Sequence, residues 1–129
     1  MEAPFIVGGL GDYLGKSGFG ISCVEHDLIN QELLKYAENN RNCYFVTGKK
    51  LYPNPDGIHI NAESQRRFGI RYFEAYQTKS NIVEPLDNEA NIVKGLHERE
   101  HTVAEKRYLA LERFTLGKSS MEEVMEFLK

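Results

Sequence analysis

The run Asn42-Cys-Tyr-Phe-Val-Thr47 decides how this chain is read. From Cys43 to Thr47 it is short, continuous and rich in aromatic and β-branched side chains. It lacks the alternation of a strand with one wet face, so it predicts a parallel strand buried on both sides. Upstream of it, from Asp27, Ile29, Leu33 and Ala37 recur at helical spacing, and Asn39-Asn40 ends that pattern. Earlier still, the segment from Gly8 to Gly20 holds six glycines without periodicity and reads as a flexible loop. A second continuous apolar run, Pro4-Phe-Ile-Val-Gly8, precedes the loop, with Pro4 at the one end a strand tolerates. Residues 4–47 thus predict β-loop-α-β, two parallel strands joined by a right-handed crossover. The fold class is α/β.

Downstream, Gly48 to Ile60 is a loop at a strand end, where α/β folds place ligand-handling residues. Asn61 is a good N-cap for a helix over Ala62–Thr78, whose expected buried face is Phe68, Tyr72 and Tyr76, with Phe73 on the flank. Past residue 80 three helical patterns follow and no strand. The first runs from Asp87 to about Leu96. Thr102-Val-Ala-Glu105 is a capping box that opens a helix through Leu116, aligning Ala104, Tyr108, Leu111 and Thr115. Gly117 stops it. Ser119-Ser-Met-Glu122 then caps a last helix with Met121, Val124, Met125 and Leu128 on one side. The expected organisation is an α/β part over residues 1–80 and a helical extension over 81–129, packing on it or on a partner.

Two strands are fewer than a covered α/β sheet normally needs. The chain therefore reads as the back half of a larger doubly wound domain, its other strands missing or supplied by another chain. An unpaired strand edge is a template for association, so a homodimer or strand exchange through that edge is expected.

Bulk properties exclude several classes of function. The 129 residues are 41% hydrophobic and 27% charged, ordinary values for one globular domain. Sixteen basic residues against nineteen acidic ones give a net charge of −3, no field to recruit nucleic acid. No apolar run approaches the roughly 18 to 20 residues that span a bilayer, and the N-terminus has no signal-peptide pattern. Cys23 and Cys43 form no CxxC spacing and read as reduced thiols, which makes the cytoplasm the default compartment.

Three motifs invite a chemical reading. Gly8 to Ser17 ends in Gly15-Lys16-Ser17, but a phosphate-binding loop requires glycine where Leu10 stands. His97-Glu98-Arg-Glu-His101 matches the helical zinc-hydrolase pattern, a rival reading in which both histidines share a helix face. Its neighbours are charged, and Thr102 caps the next helix, so His101 is expected outside any continuous helix. The third is Asn54-Pro-Asp-Gly-Ile-His59. Asn-Pro-Asp-Gly is strong turn chemistry by itself, and a histidine just before an N-cap needs no function. Yet residues i and i+3 of a turn meet. Asp56 then accepts a hydrogen bond from His59 Nδ1–H, fixing the tautomer and leaving Nε2 as a general base.

The stretch Asp56-Gly-Ile-His-Ile-Asn-Ala-Glu-Ser-Gln65, followed by Arg67-Phe-Gly-Ile-Arg-Tyr-Phe-Glu-Ala75, resembles the last block of SGNH-type carbohydrate esterases. Within these it is similar to the acetylxylan esterase and sialate O-acetylesterase group. Pro4–Asp12 and Asn42–Thr47 stand in the order and spacing of that group, and the resemblance covers about residues 4 to 80. It implies a flavodoxin-like three-layer sandwich, of which this chain is a partial β-α-β unit. It implies removal of O-acetyl groups from acetylated carbohydrate through a serine acyl-enzyme, with no cofactor. By the same resemblance His59 is the base and Asp56 its orienter, and the loop carrying Gly9, Gly11 and Asp12 lies near the substrate. The family's Gly-Gln-Ser-Asn or Gly-Asp-Ser nucleophile block and its His-Gln-Gly-Glu block do not occur in this sequence. The chain alone is therefore expected to be an incompetent esterase. The alternative from another class is a non-catalytic interaction module.

Overall fold

The computed structural model describes residues 3–128. Among the described residues the architecture is mixed α/β, with two strands and five α-helices. Strand β1 (Phe5–Gly11) leads through a 3-10 turn at Gly18–Ser22 to helix α1 (His26–Asn39), then to β2 (Cys43–Gly48) and α2 (Ala62–Thr78). Helices α3 (Glu89–Glu98), α4 (Val103–Thr115) and α5 (Met121–Leu128) follow. The two strands pair in parallel, as the β-loop-α-β expectation has it, and the structure sets their register, Phe5 opposite Cys43 and Gly8 opposite Val46.

Side chains alternate across a strand, and here each face meets one helix. Cys43, Phe45 and Val7 pack with Leu33, Leu34 and Ala37 of α1. On the opposite face Ile6, Tyr44 and Val46 pack with Phe68, Tyr72 and Ala75 of α2. That double burial explains why Cys43–Thr47 is apolar without alternation. Each fully buried Phe or Val contributes about 1.5–3 kcal/mol relative to exposure.

The sheet does not end at β2. Ile82 makes an isolated parallel bridge with Val46. Thr47 N–H donates to Ile82 O at 2.7 Å, and Ile82 N–H donates to Phe45 O at 2.8 Å. The Asn81 carboxamide oxygen accepts from Phe45 N–H at 2.8 Å. This corrects the expectation that nothing strand-like follows residue 80. Asn81-Ile82 is too short to carry a periodic signal, so only the tertiary pairing reveals it. Among the described residues, β1 has no strand on its other side.

The chain divides into two compact units, Met1–Lys94 and Gly95–Lys129, and the division falls within α3. The stretch 81–94 belongs to the first. In the second unit α4 packs on α5, with Ala110 and Val124 buried. Thr102 and Glu105 form the expected capping box. The expected face of α4 is rotated, because Tyr108 and Leu111 are exposed and Ala110 is buried. The last cap sits one residue later than expected, with Glu123 N–H donating to Ser120 Oγ and Ser120 N–H to the Glu123 carboxylate. Met121 and Met125 are exposed there. The side chains of His97 and Leu128, both singled out above, lie outside the described residues.

Helix α2 has the expected bounds, and its Asn61 cap accepts from Ser64 N–H at 2.8 Å. Its buried face differs. Tyr76 is 56% exposed and Phe73 is also exposed, whereas Ser64, Arg71 and Ala75 are buried with Phe68 and Tyr72 beside them. An arginine sits on that face because it is paired. Arg71 forks onto Glu89 at 2.7 and 2.6 Å and donates to the carbonyls of Thr47 and Lys49 at 2.9 and 2.8 Å.

Candidate acid–base site

Asp56 and His59 lie in the loop between β2 and α2, and the turn organises itself. Gly57 N–H donates to Asn54 O at 2.9 Å, and Asn54 N–H donates to His59 O at 2.7 Å. Gly57 has φ +76, a left-handed conformation that suits glycine. Asp56 Oδ1 accepts from the backbone N–H groups of Ile58 and His59, both at 3.0 Å. Its Oδ2 lies 3.0 Å from His59 Nδ1.

These contacts hold the Asp56 carboxyl at about 2, below its ordinary 3.8. The Ile58 N–H contributes most, then the His59 side chain, then the His59 N–H. Asp56 is therefore ionised near neutral pH and offers only acceptors. Nδ1 must carry the proton of their hydrogen bond, which leaves Nε2 the bare nitrogen of a neutral ring. The His59 side chain is 77% exposed, so an external proton donor can reach it.

An apolar cleft of about 570 Å³ opens beside the pair. His59, Ile58 and Ile60 line one part of it, Gly9 and Gly11 of β1 another, and Phe68 and Tyr72 of α2 a third. The structure thus brings His59 together with Gly9 and Gly11, which were expected on a loop and lie in β1. Asp12 is elsewhere, accepting from Lys50 N–H at 3.2 Å and lining a separate pocket with Asn30 and Phe45. The β1 residues point to opposite faces in turn, and the chain turns after Gly11, so neighbours in sequence part company here.

Sequence reasoning missed Tyr13 and His26. Tyr13 lines the cleft and donates its hydroxyl to Ile58 O at 2.9 Å. Burial, then the Asp56 charge, pushes its phenol up. His26 also lines the cleft, its Nδ1 3.2 Å from Asp27. Neither stands in a recognisable motif. Both come near the pair only through the packing of β1 and α1.

Three of the serines have structural roles. Ser64 is buried and accepts from Tyr52 N–H at 2.8 Å, and Ser80 bonds Thr78. Ser120 caps α5. Ser22 lines the cleft and Ser17 is exposed.

For the zinc pattern, α3 ends at Glu98 and α4 begins after Thr102, so His101 lies between helices and not on a face with position 97. Arg99 instead pairs with Glu105, whose carboxyl lies well below the usual range, chiefly through that guanidinium. Among the described residues no cluster of three metal-ligating side chains is present. No described helix is long and apolar enough to cross a membrane.

No family model matches this sequence, and a comparison with curated proteins returns no match.

Proposed function

We propose that the chain is the acid–base half of an SGNH-type carbohydrate esterase of the acetylxylan or sialate O-acetylesterase group. In this reading the α/β unit is part of a flavodoxin-like domain, and the substrate is an acetylated sugar. His59 Nε2 takes the proton of a serine hydroxyl as it attacks the acetyl carbonyl, then returns it to the leaving sugar oxygen. Asp56 orients the ring and stabilises the imidazolium. The observation that carries the reading is the Asp56 Oδ2–His59 Nδ1 contact, at 3.0 Å, with the imidazole on the rim of an apolar cleft. Supporting it are the expected strand before the turn and the capped helix after it.

No serine of this chain stands in the sequence context of a nucleophile, so the chain alone should not measurably hydrolyse p-nitrophenyl acetate. Joined in one polypeptide to a Gly-Gln-Ser-Asn block, it should hydrolyse acetylated sugars in a way that His59→Ala abolishes. Turnover that survives His59→Ala in the joined chain overturns the proposal.

A second reading has its own observation. β1 has no strand partner on one side among the described residues, so its edge suits pairing with a second copy of the chain. Light scattering at low micromolar concentration tests it, and a monomer counts against it.

A further inference from the structure

The glycine-rich segment after β1 is not the flexible loop that its composition predicts. Its backbone lies directly on the backbone of the Asp56–Ile58 turn. Phe19 N–H donates to Asp56 O at 2.7 Å. A Cβ at Gly18 would stand 2.1 Å from Asp56 O, and one at Gly20 would stand 2.1 Å from Gly57 O. In the other direction, a Cβ at Gly57 would stand 2.3 Å from Ser17 O. No side chain fits between the two segments. The next residue of the turn is held as well, by the Tyr13 hydroxyl on Ile58 O. Three consecutive residues, Asp56, Gly57 and Ile58, are thereby fixed from outside.

We infer that the loop from Tyr13 to Gly20 is the positioning element of the Asp56–His59 pair, with Gly18, Gly20 and Tyr13 as its positioning residues. The reason lies in what the carboxylate needs. Asp56 Oδ1 accepts from two successive amides, which converge only while the backbone from Asp56 to Ile58 keeps its present path. Gly57 is the joint at which that path would relax, since glycine reaches many conformations at low cost. Ser17, Gly18 and Gly20 occupy the space that Gly57 would move into. With the amides convergent, Oδ1 is engaged and Oδ2 is left to face Nδ1. Gly18, Gly20 and Gly57 thus serve backbone-to-backbone contact.

The functional meaning of this inference rests on the acid–base reading above, but its test reads the geometry of the pair alone. The Asp56 carboxyl is titrated by ¹³C NMR in the full chain, and the His59 tautomer is read from its ring ¹⁵N shifts. Gly20→Ala should move the Asp56 titration up from about 2 toward 3.8 and reduce the Nδ1–H tautomer. Tyr13→Phe should move both signals the same way by less. Gly117→Ala is the control. Its φ of +66 strains the variant, but nothing stands within 4 Å of a Cβ there and it lies outside the loop, so it should lower thermal stability and leave both signals in place.

If Gly20→Ala does not fold, Tyr13→Phe decides. Variants that fold and keep the wild-type titration and tautomer overturn the inference, because the turn then holds the pair by itself. A failed esterase test with shifted signals leaves the positioning intact. Unshifted signals with a His59-dependent esterase leave the function intact.

Discussion

Two side-chain pairs in the first unit differ in almost every respect. Arg71 and Glu89 are buried, eighteen residues apart, and tie α2 to the end of β2 and the start of α3. Asp56 and His59 are three residues apart in one turn, with side chains 31% and 77% exposed. A desolvated charge is tolerated only when its partners are complete, so the first pair is structural and intolerant of change. The second costs the fold little. It keeps one nitrogen free in an accessible place, which chemistry requires and stability does not. In this chain, therefore, exposure and an unused ring nitrogen mark the candidate site, and completeness marks the structural pair.

The largest expected effect would break that contrast if absent. Arg71→Ala strands the Glu89 carboxylate in the interior and should destabilise by about 3–5 kcal/mol in urea denaturation. Arg71→Met combined with Glu89→Leu should recover most of the loss, because no unpaired charge remains. A single-variant loss below about 1 kcal/mol would show that water reaches the pair. Next in size is the cap that follows His59. Asn61→Ala removes the acceptor of Ser64 N–H and should cost about 1 kcal/mol by thermal or urea denaturation.

The smallest effect sharpens the contrast through pH. Asp56 titrates lower in the folded chain than its ordinary value, so the folded state favours its ionised form. Its contribution is present in full above 3.8 and is lost as pH falls through about 2. Urea midpoints should therefore fall more for wild type than for Asp56→Asn between about pH 5 and pH 2. At neutral pH wild type should be the more stable of the two, and the difference should close as pH approaches 2. Equal pH profiles would mean that the two amides do not select the carboxylate.

How much of this was legible in the sequence depends on the range of the interaction. The strand at Cys43–Thr47, the helix at 62–78 with its Asn61 cap and the capping box at Thr102 were all readable, because their signals are local. Asp56 and His59 were readable for the same reason. The buried face of α2 was not. Hydrophobic spacing pointed to Tyr76, whereas the helix buries Arg71, an assignment that depends on a glutamate in another element. The Ile82 bridge, two residues long, has no periodicity to read.

The sequence by itself determined the order of elements, the parallel pairing and the presence of an acid and a histidine in a turn that opens a helix. Period, capping and turn chemistry act over a few residues, and those residues are written consecutively. Only the tertiary structure decided that the glycine loop closes on the Asp56–Ile58 turn, that Tyr13 reaches Ile58 across forty-five positions, and that Asp12 stands apart from the cleft. Those outcomes depend on which backbones approach closely enough to exclude a side chain. That is a property of packed surfaces, and no stretch of chain carries it alone.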